Sequence, residues 1–160
     1  MGYEFPESAV IAKLLSDLVG APVELAKADD AVALDRLGRP FACVCLDDQS
    51  LPVGAMIADL SATVSLGGQL MMLAEDELKE QTKSKAPSED VVSALSEIFN
   101  NLTTTLNNIK ANPHIRSTPA KPAAAVVASN TGAWIPRASH RVDLTGNLLC
   151  GKGRLILFWK

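Results

Sequence analysis

The sequence predicts an α+β domain in which a helix followed by strands occurs twice, with the two long helices together on one side of a shared sheet. Three observations carry that expectation. Val91, Leu95, Ile98, Leu102, Leu106 and Ile109 form an apolar stripe with alternating steps of four and three, which defines a helix of about twenty residues. A shorter stripe, Val10, Ile11, Leu14, Leu15 and Leu18, defines a first helix from about Glu7 to Val19. Setting Pro22 against Pro113 superposes Ile11, Leu15 and Leu18 on Leu102, Leu106 and Ile109, a pseudo-repeat at an offset of 91.

The elements follow in order. Gly20 and then Pro22 stop the first helix. Strand-like runs come next at VELAKA, AVALD, FACVCLD and VGAMIADL, separated by Asp-Asp, Gly-Arg-Pro and Leu-Pro breaks. Ser61 is a suitable N-cap for a second helix, SATVSLGGQLMML, in which Gly67 and Gly68 point to close packing or a kink. AEDELKEQTKSKAPSED is dense in charge and reads as a solvated helix end and connector, so one domain, 1–160, divides into halves 1–73 and 88–160 with a connector at 74–87. Ser88, Glu89 and Asp90 make a favourable start for the long second-half helix. Pro113 ends it, and HIR, PAAAVVAS, AWIPRASHRVDL and RLILFW are expected as strands. Trp134 and Trp159 fall at such strand positions and are expected in the core or at a subunit contact.

Composition narrows the function classes. The 160 residues are 48% hydrophobic and 21% charged, which is ordinary for a globular domain that buries its core without a disulfide or metal staple. A formal charge of −3 with scattered Lys and Arg argues against nucleic acid as a partner. MGYEFPESAV lacks a basic segment followed by an apolar one, and no run reaches membrane-spanning length, so a cytoplasmic location without membrane contact is expected. Cys43 and Cys45 share one face of a strand and read as reduced core residues. They have no metal partners, since His114 and His140 stand in unrelated segments. LGGQ and GKGR lack the spacing and the strand-to-helix context of a nucleotide loop, and neither His stands in a hydrolase motif.

The chemistry concentrates in SALSEIFNN on the long helix. Ser93, Glu97 and Asn100 lie at i, i+4 and i+7 and share the stripe opposite Leu95, Ile98 and Leu102. A Ser, Glu and Asn on the outer face are also what any solvated helix presents. An Asn amide both donates and accepts, so it can orient a water for in-line attack on an acyl phosphate, while a carboxylate one turn earlier can pair with a partner's Lys. Thr103, Thr104 and Thr105 are poor helix formers and mark tight packing or a polar contact surface. Asn107, Asn108 and Asn112 read as helix-end polarity.

The order Asp/Ser, three residues, Glu, two residues, Asn resembles the active-site signature of the CheC/CheX/FliY family of chemotaxis phosphatases, and Ser93, Glu97 and Asn100 match it. The family pattern goes on to a Pro, and Pro122 falls one residue short of that place. The run GAMIADLSATVSLGGQLMML, then an acidic linker, then SALSEIFNNLTTTLNN is also similar to the family's order of strand, helix, linker and long helix. The resemblance implies a mainly antiparallel sheet and hydrolysis of the aspartyl phosphate of a chemotaxis response-regulator receiver. It implies that Asn100 orients the water and Glu97 contacts the receiver, with Ser93 opening the motif. The chain would need no cofactor of its own, because the receiver carries Mg²⁺. The first-helix equivalents are Pro6 and Ala9, which resembles the one-site CheX-like members and implies a homodimer. The alternative is an interaction module that binds a receiver or flagellar-switch protein without chemistry.

Overall fold

The computed structural model describes residues 3–160. Helix α1, Ser8–Val19, ends where Gly20 turns left-handed at φ 70° and returns its N–H to the Ser16 carbonyl at 3.0 Å. The long helix α5, Glu89–Asn107, starts at Ser88, whose hydroxyl accepts from the Val91 N–H at 3.2 Å. Glu89 and Asp90 complement the exposed amides of its first turn.

Seven strands make one sheet, and every pairing among the described residues is antiparallel. Two hairpins build it: β2, Phe41–Asp47, with β3, Pro52–Ala58, and β6, His140–Leu148, with β7, Gly151–Trp159. Strands β3 and β7 join them at the centre, where Ala55 faces Phe158 and Ile57 faces Ile156. β1, Ala26–Lys27, closes one edge on β6. β4, Ile115–Ser117, and β5, Lys121–Pro122, close the other on β2. The first hairpin turn is held by Asp47, whose carboxylate accepts from the Gln49 and Leu51 amides at 2.9 Å each.

Both faces of the sheet are covered. Period-two alternation sends Leu155, Leu157 and Trp159 of β7, with Cys43 and Cys45 of β2, toward the long helices. There they meet Ile11 and Leu15 of α1 and Leu95, Ile98, Phe99 and Leu102 of α5. Each such side chain contributes about 1.5–3 kcal/mol on burial. Burial also pushes the Cys43 thiol well above its ordinary range, as expected of a reduced core cysteine, and Cys45 beside it adds to the effect. The opposite face, with Ala42, Val44, Ile57, Ile156 and Phe158, packs under α6, Ala123–Ala128, and the 3₁₀ turns Leu34–Arg36 and Ile135–Arg137.

Several sequence expectations are corrected. PAAAVVAS holds helix α6 rather than a strand, begun by Pro122 at the cap position. AVALD contains the 3₁₀ turn at Leu34–Arg36, and of VELAKA only Ala26 and Lys27 pair in the sheet. The helix after β3 is capped by Asp59 rather than Ser61. It runs as α2, Leu60–Ala62, a π-helical stretch Thr63–Gly67, and α3, Gly68–Leu70. The charged connector contains a helix of its own, α4, Glu75–Ser84, tied to the core by the buried Leu78. Trp159 lies in the core with Tyr3 and Phe5 stacked on it at 5.1 and 6.1 Å between ring centres. Trp134 is half-buried on the other face and donates its indole N–H to the Thr131 carbonyl at 2.7 Å.

Candidate functional site

Helix α5 buries Val91, Ala94, Leu95, Ile98, Phe99, Leu102, Thr103 and Leu106 on one face. Ser93, Glu97 and Asn100 are all exposed on the other, in a stripe that continues to Thr104. The fold therefore brings the three motif residues together on an outward surface of its longest helix.

That helix is fixed along its length. At its start, Gly67 packs so closely that a Cβ there would stand 2.5 Å from the Val91 carbonyl oxygen. Midway, the Ser96 hydroxyl donates to the Val92 carbonyl at 3.3 Å and accepts from the Ala120 N–H at 2.8 Å, which binds the segment leading to Pro122 onto α5. Near the end, Asn107 donates to the Ile115 carbonyl at 3.0 Å and accepts from the Ile115 N–H at 2.9 Å. Asn112 likewise grips the backbone of Glu4 in both directions, at 2.7 and 2.8 Å. Asn107 and Asn112, read from sequence as helix-end polarity, are thus clamps. Thr103 is buried and donates to the Asn100 carbonyl at 2.6 Å, a local packing role of the kind its helix propensity pointed to.

The polar neighbours spend their side chains on such bonds, Asn101 donating to the Glu97 carbonyl at 2.9 Å. Among the described residues, the Ser93 hydroxyl, Glu97 carboxylate and Asn100 carboxamide take part in none of them. Three side chains on one helix face thus keep their full bonding capacity for solvent or a partner. Helix α1 offers no counterpart. Ala9 is exposed but has no polar group, Pro6 precedes the helix, and Lys13 pairs with Asp17 at 3.1 Å. Pro122 sits apart from the stripe, at the junction of β5 and α6.

The sequence reading missed Ser96, whose only signal was a hydroxyl on the half-buried flank of a helix. It also missed a buried ion network on the other face of the sheet. Asp143 accepts from Arg141 at 2.6 and 2.8 Å and from Arg154. Arg154 also reaches Asp30, whose carboxyl it holds below the usual range, and Arg141 donates to the Val32 carbonyl at 2.7 Å. No group of three His, Cys, Asp or Glu among the described residues stands close enough to hold a metal ion, and no described helix is long and apolar enough to cross a membrane.

No family model matches the sequence, and no curated protein is significantly similar to it. Solved structures are. The FliM middle domain from H. pylori superposes at a TM-score of 0.68 and 12% identity over 95% of this chain and 84% of that one. CheX from Borrelia burgdorferi, in a complex with CheY, BeF₃ and Mg²⁺, superposes at 0.54 and 17% identity over 92% and 91%. CheX from Vibrio vulnificus does so at 0.53 and 13% identity over 95% of each chain. At these identities the likeness is one of fold, and the chain has the fold of the CheC/CheX/FliY family, with helices packed on an antiparallel sheet.

Proposed function

We propose that the chain hydrolyses the aspartyl phosphate of a chemotaxis response-regulator receiver. The observation that carries this reading is the outward stripe of α5, where Glu97 and Asn100 are exposed, unengaged and one turn apart on a helix held by Ser88, Ser96 and Asn107. Glu97 contacts the receiver and fixes the register. Asn100 accepts a hydrogen bond from a water and orients its oxygen toward phosphorus, in line with the bond to the aspartyl oxygen. That bond breaks as the new P–O bond forms, leaving the aspartate carboxylate and inorganic phosphate. Positioning of this kind can remove up to roughly 7–11 kcal/mol of barrier. The Mg²⁺ that neutralises the phosphoryl oxygens belongs to the receiver, so this chain supplies geometry alone. A complex of CheX with CheY, BeF₃ and Mg²⁺ among the solved structures of this fold supports the choice of partner class.

A second reading is favoured by one specific observation: the superposition on the FliM middle domain, at 0.68, is tighter than that on CheX, at 0.54. It makes the chain a module that binds a receiver or switch protein without turning it over. Phosphate release from a ³²P-labelled chemotaxis receiver separates the two. Under the phosphatase reading the chain accelerates release, Asn100→Ala lowers the rate by about 10²–10³-fold with unchanged folding, and Glu97→Ala weakens binding. Receiver binding without acceleration leaves the module reading and retires the catalytic one.

A further inference from the structure

Away from the α5 stripe, a groove of about 900 Å³ opens where the 3₁₀ turn at Leu34–Arg36, the start of β2, helix α6 and the connector before α5 meet. That volume lies within the range of small-molecule sites. Its walls are rigid and poor in donors: Pro40, Pro87, Pro122 and Pro136 all line it and carry no N–H, and the Ala123 N–H is used by the Pro40 carbonyl at 2.8 Å. Such walls suit an apolar body and offer little to an extended peptide backbone.

The charges are biased. Arg39, Lys85 and Arg141 line the groove against one acidic residue, Asp35. Arg141 is committed to Asp143 and the Val32 carbonyl, but Arg39 and Lys85 are exposed and form no ion pair among the described residues. Both are held in the left-handed region, Arg39 at φ 49° and Lys85 at φ 55°, where glycine would be less strained. Two of the chain's non-glycine left-handed residues are therefore cations on one groove. Lys85 takes that conformation as the C-cap of α4, its N–H bonding the Thr82 carbonyl at 3.2 Å, which fixes the base of its side chain beside the groove.

We infer that this groove binds a small anionic amphiphile, a carboxylate or phosphate on an apolar tail or ring, with Arg39 and Lys85 holding the anion and the proline-lined floor taking the apolar body. The inference is independent of the α5 site.

Isothermal titration with sodium octanoate, 1-octanol and acetate tests it on the whole chain. Octanoate is expected to bind one to one, with octanol and acetate each at least roughly tenfold weaker, since either lacks half of the match. The double variant Arg39→Gly/Lys85→Gly is expected to melt no lower than the parent, because glycine relieves both backbones, yet to bind octanoate at least about tenfold more weakly. Ala124→Trp, an exposed position on the groove wall, is expected to abolish binding with the melting temperature kept. Octanol binding as tightly as octanoate, full affinity in the double variant, or undiminished binding in Ala124→Trp would each overturn the inference. Saturable binding of an acidic amphipathic helical peptide, with none of octanoate, would overturn it in favour of a protein partner.

Discussion

Asp59 caps a helix while carrying a charge into a partly buried place. Its carboxylate accepts from the Ala62 N–H at 2.8 Å, and its own N–H donates to the Arg154 carbonyl at 3.0 Å, extending the sheet ladder by one residue. Burial raises its pKa above the ordinary value, against the lowering effect of its backbone bonds and of Arg154. An acid whose folded pKa is raised costs stability when ionised. The cost is absent below the unfolded pKa of about 4, grows as pH rises through the folded pKa, and is constant above it. Asn keeps the capping oxygen without the charge. Asp59→Asn is therefore expected to be at least as stable as the parent at pH 7, with that advantage gone below about pH 4. Asp59→Ala, which has no acceptor, is expected to fall about 1 kcal/mol below Asp59→Asn at either pH. Urea titrations at pH 7 and 3.5 read both comparisons. The same residue shows what a local reading of DLSAT cannot decide: Asp59 and Ser61 are both good caps by type, and the choice is made from a distance. The Arg154 carbonyl on β7 holds Asp59 in the ladder, and Ser61 turns its hydroxyl to the Gly151 carbonyl at 3.0 Å.

Among elements, the Gly67–Gly68 pair stands where the π-helical stretch of the helix after β3 passes into α3. Isolated helices prefer Ala to Gly by about 1 kcal/mol, so local propensity favours replacing either glycine. Packing reverses the preference. A Cβ on Gly67 would stand 2.5 Å from the Val91 carbonyl oxygen, which is backbone in the first turn of α5 and cannot step aside. One on Gly68 would stand 2.2 Å from a methyl of Leu78, a side chain that can rotate, though it is fully buried. Gly67→Ala is expected to cost about 1–3 kcal/mol by urea denaturation and Gly68→Ala less. An equal cost at both positions would contradict the distinction between a backbone and a side-chain obstacle. From sequence this pair was legible as close packing or a kink, and the structure shows the close packing. Long periodic elements were equally legible: α1 and α5 follow from their apolar stripes and β2 and β3 from apolar runs between turn signals, whereas of AWIPRASHRVDL only the part from His140 is strand and Ile135–Arg137 is a 3₁₀ turn. Short apolar runs were not. AAAVVA has no period to distinguish a buried strand from a short helix, and it becomes α6 where Pro122 starts a turn and Ala123, Val126 and Val127 pack into the core that holds Ala42 and Val44. The exposed stripe of Ser93, Glu97 and Asn100 on α5 was legible, while the groove was not, since it joins positions from separate parts of the chain.

At the scale of the whole molecule, the sheet is a shared wall between two unequal cores. The long helices fill one side with Leu, Ile and Phe, and the opposite side is roofed by a six-residue helix, two 3₁₀ turns and the loop through residues 28–33. The loop has little apolar surface to hold it, and the ion network takes that part. Asp143 on β6 lies 2% exposed between Arg141 and Arg154, and the two guanidiniums reach out to the Val32 and Asp30 carbonyls at 2.7 and 3.2 Å. Arg141 also lies over the Phe158 ring at 5.4 Å, so the network is continuous with the second core. One buried carboxylate thus pairs with two largely buried cations, and removing it leaves Arg141 without an acid partner and Arg154 with only the exposed Asp30. Asp143→Ala is expected to cost about 3–5 kcal/mol, a large share of the stability of a domain of this size. Asp30 bonds the same Arg154 but its side chain is 70% exposed, so solvent replaces much of what it supplies. Asp30→Ala is accordingly expected to cost far less than Asp143→Ala, and less still as salt is added. Denaturant titrations of the two variants at low and high salt decide the matter. Similar losses at both positions would mean that the network acts through its surface charges, and that the loop over the second core is held by something other than the buried carboxylate.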